Sequence, residues 1–162
     1  MGDDEEEGVG RARGAPGGPG PARTLLCDTN VLIRLLTGDP PEQARAAVAA
    51  FEAAAEGRFA LVLTDVVLAE ACSVLASAGV APAEAAGHLL RILDLPGVEL
   101  VDETVLRGTL ELWSEGKLDV ADAYLAALAR RIRGGAVLSF DRDFERVPGV
   151  TRVDPGTAAP SE

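Results

Sequence analysis

The feature that most constrains this chain is the regular alternation of short apolar runs with longer helix-like segments between Thr24 and Asp154. Each apolar run spans five or six residues, a length typical of β-strands. The predicted strands are 24–28, 59–64, 98–102, 135–140 and 150–154. The predicted helices are 30–36, 41–57, 66–79, 82–95, 103–115 and a last one from Asp119 to about Arg131.

Strands that alternate with helices indicate an α/β fold with parallel strands. The runs are apolar throughout instead of alternating with polar residues, as expected where helices cover both faces of a parallel sheet. We therefore expect a three-layer α/β/α sandwich around a central, mainly parallel sheet of about five strands. Since 48% of the residues are apolar but only 4% are aromatic, the core should consist mainly of Ala, Leu and Val.

The composition changes sharply at the start of the first predicted strand. Residues 1–22 are mostly Gly, Pro and charged residues, which predicts a disordered leader. One folded domain should cover residues 23–155, and residues 156–162 should form a flexible tail. No apolar run approaches the roughly 18–20 residues of a membrane span, and no signal peptide is recognisable. Together with two cysteines in apolar runs, this predicts a cytoplasmic protein without membrane contact.

Acidic residues fall where an α/β fold places its ligands, beyond the carboxyl ends of the parallel strands. One acid ends the first strand, one lies in the helix after the second, and two follow the fourth. Another two, spaced i, i+3, open the helix before the fourth strand and should share one helix face. These acids are Asp28, Glu70, Asp141, Asp143, Asp119 and Asp122.

Each acid also has a purely structural interpretation. Asp28 and Asp119 are suitable N-caps, and Asp122 would then suit the positive end of the helix dipole. The two acids after the fourth strand could be ordinary turn residues. Glu70 is harder to explain in this way, because its neighbours in the chain are apolar and buried acids are rare unless paired or metal-bound.

Several carboxylates at one edge of a sheet would repel each other unless a cation compensates them. Oxygen ligands without His or Cys favour Mg²⁺ or Mn²⁺ over zinc. The net charge of −11 argues against a protein that binds nucleic acid through Lys and Arg alone. A bound cation would reverse the local field, so a nucleic-acid substrate stays possible.

Four segments in order resemble the successive motifs of PIN-domain proteins. They are LLCDTNVLIRLLTGD, LTDVVLAEACSVL, KLDVADAYLAALA and VLSFDRDFERVPGVTRVDP. The sequence is most similar to the VapC toxins of bacterial toxin–antitoxin pairs. This resemblance implies a PIN-like fold and a Mg²⁺-dependent endoribonuclease that hydrolyses RNA phosphodiester bonds, with Mn²⁺ able to substitute.

The resemblance also implies a role for each site residue. Asp28, Asp122 and Asp141 would hold the metal, and Glu70 would help to hold it or orient the attacking water. The auxiliary positions would be Asn30, Asp119, Ser139 and Asp143. Arg142 and Arg146 are the arginines closest in sequence to the proposed cleft and are candidates for RNA phosphate contacts.

The partners implied are an RNA substrate, a cognate antitoxin and a second copy of the chain in a homodimer. Two alternatives stay open. The chain could be a PIN nuclease that acts in RNA maturation or on DNA. It could also be a non-catalytic interaction module whose acids only cap helices or bind a basic partner; such a module should lack acid-dependent affinity for Mn²⁺.

Overall fold

The computed structural model describes residues 23–158, which contain five strands, seven α-helices and one 3₁₀ helix. The strands are β1 (Thr24–Leu26), β2 (Ala60–Leu63), β3 (Val98–Leu100), β4 (Ala136–Leu138) and β5 (Thr151–Val153). The helices are α1 (Thr29–Thr37), α2 (Pro41–Ala55), α3 (Asp65–Ser77), α4 (Pro82–Leu93), α5 (Glu103–Ser114), α6 (Val120–Ala129) and α7 (Pro155–Ala158). The 3₁₀ helix is Arg142–Arg146.

The described residues form two compact units. The first comprises residues 23–67 together with Leu93–Asp102. It contains a parallel sheet in the order β1-β2-β3, with Leu25 paired to Leu61 and Leu61 to Val98. Helices α1 and α2 pack together in this unit. Its buried apolar residues include Leu32, Phe51, Ala54, Leu61 and Leu63.

The second unit comprises Leu68–Ile92 and residues 103–158. Its two strands, β4 and β5, are parallel, and Val137 is paired with Arg152. Helices α5 and α6 pack closely, because Gly108 leaves room for the methyl group of Ala127; a Cβ at Gly108 would lie 3.4 Å from it. The core of this unit includes Leu68, Cys72, Leu89, Leu106, Leu110, Trp113 and Phe144.

Local signals in the sequence explain where the helices begin and end. Pro41 occupies the first turn of α2, where its missing N–H leaves no hydrogen bond unmade. Gly38 ends α1 with a φ of 72°, a left-handed conformation that only glycine adopts without strain. Within the described part of the chain, no helix combines the length and apolar character needed to span a bilayer.

The mixed α/β architecture with parallel strands is confirmed, but the arrangement of the strands differs from the prediction. The five strands lie in one sheet of three and another of two, instead of a single five-stranded sheet. The expectation that both faces of every strand are covered holds for β2 but not for β1 and β4. Leu26 and Leu138 are 76% and 63% exposed, and both lie on edge strands of their sheets.

Two of the predicted segments lie at the ends of the chain. The predicted disordered leader, residues 1–22, lies outside the described residues. Of the predicted tail, residues 156–158 belong to helix α7, and residues 159–162 lie outside the described part. Both cysteines are free and buried, as expected from their apolar neighbours.

Candidate active site

The N-terminus of α6 contributes the first part of the candidate site. Asp119 is extended, and its Oδ1 accepts a hydrogen bond from the backbone N–H of Asp122 at 2.8 Å. Asp119 is therefore the N-cap of α6, and Asp122 lies in the first helical turn. The buried alanines of the helix, among them Ala123 and Ala126, fix this end of α6 against the core of the second unit.

The segment after β4 contributes the second part. The backbone N–H of Asp141 donates to Oγ of Ser139 at 3.0 Å. Oδ1 of Asp141 in turn accepts from the N–H of Asp143 at 2.8 Å and so caps the 3₁₀ helix. Phe144, only 1% exposed, anchors that helix in the core. Asp141 and Asp143 are therefore held by local hydrogen bonds, as expected for residues of a turn.

These two segments bring four acids together within the second unit. Asp122 is half-buried, and burial is the largest cause that raises its pKa above the ordinary value. The negative charges of Asp119, Asp141 and Asp143 raise the pKa further. Each of these three acids therefore lies close enough to Asp122 to affect its pKa.

The four acids differ in their basic partners. Asp143 forms an ion pair with Arg146, with Oδ1 and Nη1 3.0 Å apart. Among residues 23–158, Asp119, Asp122 and Asp141 form no ion pair with a basic side chain. A cation bound nearby would stabilise these three carboxylates, which have no basic partner among the described residues.

The donor set fits a hard divalent cation such as Mg²⁺ or Mn²⁺, because the side chains that converge are carboxylates and one nearby hydroxyl, that of Ser139. In the described part of the chain, no group of three or more His, Cys, Asp or Glu residues forms a ready-made metal cage.

Asp28 and Asn30 belong to the first unit. Asp28 is the N-cap of α1, and its Oδ1 accepts from the backbone N–H of Asn30 at 2.8 Å. Its side chain is exposed, so a capping carboxylate can still offer its second oxygen to a ligand. The structural interpretation of Asp28 as a cap is therefore correct and leaves a further role possible.

The exposure of Glu70 differs from the prediction. Its apolar neighbours in the chain suggested a buried acid that would need a metal or a partner. The residue is exposed on α3, because Leu68, Ala71 and Cys72 occupy the buried face of that helix. Burial therefore supplies no argument for a functional Glu70, and its proposed role rests on the resemblance alone.

The arginines near the acids differ in their surroundings. Arg142 is exposed at the start of the 3₁₀ helix, whereas Arg146 is held by its ion pair with Asp143. Arg152 was not predicted as a site residue; its side chain is only 11% exposed and contacts the segment after β4. In the sequence it is simply one polar residue in a short strand, so no local signal reveals its contacts.

The sequence matches one known protein family. A profile of the PIN domain family matches residues 25–150. No curated protein matches the sequence. PIN domains are generally nucleases, which act on nucleic acids and typically use divalent metal ions. Because the match extends over well more than half of the sequence, the chain belongs to the PIN domain family.

Proposed function

We propose that this protein is a metal-dependent endoribonuclease of the VapC type, the toxin of a toxin–antitoxin pair. It would hydrolyse RNA phosphodiester bonds with acid-bound Mg²⁺, and Mn²⁺ would substitute. The observation that carries the proposal is the convergence of Asp119, Asp141 and Asp143 on the half-buried Asp122 in a PIN domain chain. The resemblance of the motifs to VapC toxins supports the choice of RNA.

Each residue has a defined part in this proposal. Asp28, Asp122 and Asp141 would hold the cation, and Glu70 would complete its coordination or orient the attacking water. Asp119 and Ser139 support the two principal acids of the second unit through the hydrogen bonds that organise their segments. The remaining auxiliary residues, Asn30 and Asp143, would orient the site.

A divalent cation bound here would polarise the phosphate and favour ionisation of an attacking water. The protein supplies the charge and the geometry for this chemistry. The carboxylates of Asp122 and Asp141 would provide the negative charge, and the capping hydrogen bonds fix the backbone at both residues before substrate binds. Exposed Arg142 could contact the next phosphate of the RNA, with Arg146 as a second candidate.

An antitoxin and a second copy of the chain are the proposed protein partners. The uncompensated acids would accept a basic side chain of an antitoxin in place of the cation. A shallow cavity of about 340 Å³ on the first unit, lined in part by Ala44, Val48 and Ala49, offers apolar surface for such a partner. Homodimer formation is supported by the resemblance, and sedimentation of the purified protein would test it.

The test is cleavage of labelled tRNA and rRNA by the wild type and by Asp122→Asn and Asp28→Asn, each with Mg²⁺ and with EDTA. A matched control is Asp39→Asn, because Asp39 is an exposed aspartate outside the proposed site. We expect discrete RNA fragments from the wild type and the control only when Mg²⁺ is present. Both site variants should lose at least about a hundredfold in rate, as expected when a metal ligand is removed.

A parallel reaction with single-stranded and duplex DNA separates the ribonuclease from a DNA nuclease. Cleavage of DNA but not RNA would contradict the RNA assignment but not the proposed metal site. If neither nucleic acid is cut and calorimetry detects no Mn²⁺ binding that depends on Asp122, the protein is an interaction module instead of an enzyme.

A further inference from the structure

Arg152 connects three parts of the second unit. Its side chain leaves β5, and Nε donates to Oε1 of Glu145 at 2.7 Å. Nη1 donates to the carbonyl oxygen of Ser139 at 2.9 Å and to Oδ2 of Asp154 at 3.1 Å. Only 11% of the Arg152 side chain is exposed, whereas its two carboxylate partners, Glu145 and Asp154, are about half exposed. Its hydrogen bonds to them are charge-assisted.

Two of these contacts bracket the segment that carries Asp141 and Asp143. Ser139 begins the segment, and Glu145 lies near its end in the 3₁₀ helix. Ser139 is held through its carbonyl by Arg152 and through its N–H by the carbonyl of Val153, at 3.1 Å. Its hydroxyl then accepts from the N–H of Asp141. A continuous path of hydrogen bonds therefore runs from Arg152 through Ser139 to Asp141.

Two of the three acids in this segment form ion pairs with arginines. Asp141, Asp143 and Glu145 alternate along the chain and would repel one another in an isolated loop. Arg152 compensates Glu145, and Arg146 compensates Asp143. Among the described residues, Asp141 is the one acid of the three without an ion pair, which leaves its carboxylate available for a cation.

We infer that Arg152 is a positioning residue, which clamps residues 139–146 and thereby holds the carboxylate of Asp141 where a metal ion can use it. This inference rests on the proposed function. The planar guanidinium donates in several fixed directions, and here it reaches two acceptors within residues 139–146 and a third just after β5. A lysine ammonium lacks that fork, so it can restore only part of the clamp.

The first readout is Mn²⁺ affinity, measured by calorimetry without RNA on the wild type, Arg152→Met and Arg152→Lys. Loss of a residue that orients a metal ligand typically weakens metal binding about 10–100-fold. We expect at least about a tenfold loss in Arg152→Met and an intermediate value in Arg152→Lys. The matched control is Arg107→Met, which removes a partly buried arginine of the same unit that pairs with Glu103 on α5. Its Mn²⁺ affinity should equal that of the wild type.

The second readout is amide hydrogen exchange, which does not require metal. In Arg152→Met the amides of Asp141 and Asp143 should exchange at least about tenfold faster, because their hydrogen bonds depend on the clamped segment. Amides within α5 should keep their wild-type rates. Glu145→Gln is a milder variant, since Glu145 is exposed and its loss leaves the other two contacts of Arg152 in place. It should show a smaller change in the same direction.

The outcomes separate this inference from the proposed function. If Arg152→Met binds Mn²⁺ as tightly as the wild type, or loses no more than Arg107→Met, the positioning role is wrong. If the wild type itself binds no Mn²⁺, the proposed function fails, and exchange at Asp141 alone then decides whether the clamp exists. Equal exchange of that amide in the wild type and Arg152→Met would overturn it.

Discussion

At the scale of single residues, Asp122 shows how a carboxylate responds to its surroundings. It lies in the first turn of α6, where the helix dipole favours negative charge. Burial and three neighbouring acids nevertheless raise its pKa. The repulsion and desolvation therefore outweigh the dipole, and ionised Asp122 destabilises the metal-free protein.

The variant Asp122→Asn tests this balance in the metal-free protein. A raised pKa in the folded state means that protonation stabilises the fold, so stability falls as the pH rises through the folded-state pKa. At neutral pH we expect the variant to unfold at a higher temperature than the wild type. The gain should shrink as the pH falls toward the usual Asp pKa of about 3.9.

The measurement is thermal unfolding in EDTA across this pH range, with Asp39→Asn, the same change at an exposed aspartate outside the proposed site, as the control. A variant that is less stable than the wild type at neutral pH would show that the helix dipole dominates. With saturating Mn²⁺ the order should reverse, because a ligand stabilises only the protein that binds it.

At the scale of the elements, Asp119 at the N-cap of α6 has both a structural and an electrostatic role. Variants of this residue can separate the two. Asp119 accepts from the N–H of Asp122, and its charge also adds to the repulsion at that residue. Asn caps helices about as well as Asp, whereas Ala cannot cap. Asp119→Ala should therefore cost about 1 kcal/mol of unfolding free energy, while Asp119→Asn should cost almost nothing.

Urea denaturation of the metal-free protein at neutral pH measures both values. Equal losses in the two variants would mean that the charge of Asp119, and not its hydrogen bond, supports the helix. Asp119→Asn keeps the cap and loses the charge. A change in its Mn²⁺ affinity relative to the wild type therefore measures the electrostatic role of Asp119.

A second prediction at this scale concerns the loop before β3. Gly97 has a φ of +78°, and a Cβ there would overlap the backbone carbonyl of Ala54 at the end of α2. Gly79 has a similar φ of +83° but open space around it. Both alanine variants incur the strain of a left-handed residue, and only Gly97→Ala adds an overlap.

Gly97→Ala should therefore be less stable than Gly79→Ala by roughly 1–3 kcal/mol, the usual cost of overpacking. Chemical denaturation of the two variants beside the wild type provides the comparison. Similar losses would indicate that α2 and the loop shift to accommodate the methyl group at little cost.

At the scale of the whole molecule, the two cysteines report on the integrity of the fold. Burial raises the pKa of Cys27 to about 11, with help from the charge of Asp28, and that of Cys72 to about 12. The thiolate is the reactive form, so both residues should be inert in the folded protein. Neither should react with iodoacetamide at about pH 8 on the time scale on which a free thiol, of pKa about 8.5, reacts.

Mass spectrometry of the two labelled peptides, with and without urea, measures this protection. We expect labelling of each cysteine to begin only with unfolding. Rapid labelling of Cys27 in the native protein would show that β1, which precedes it, opens readily. Since the two cysteines belong to different compact units, the experiment follows each unit separately.

The elements were largely predictable because their signals are local. Pro41 marks the start of α2 and Gly38 the end of α1. Each apolar run became a strand whose ends lie within two residues of the predicted ones. The 3₁₀ helix Arg142–Arg146 escaped prediction, because Asp141 caps a segment too short for a periodic pattern. The short α7 escaped for the same reason.

For the site, the sequence by itself determined which acids are present and which of them begin helices. Capping by Asp28 and Asp119 depends only on neighbouring residues, so it could be inferred from the order of the chain. The exposure of Glu70 depended on which face of α3 became buried, which the nearly all-apolar sequence of that helix does not reveal.

Only the tertiary structure decided how far the acids influence one another and what holds them. The effect of Asp141 on Asp122 requires α6 and the segment after β4 to meet, and the clamp of Arg152 requires β5 to lie beside β4. It also decided that the five strands form two sheets. Pairing and electrostatic contact join residues that are distant in the chain, and no local propensity encodes those distances.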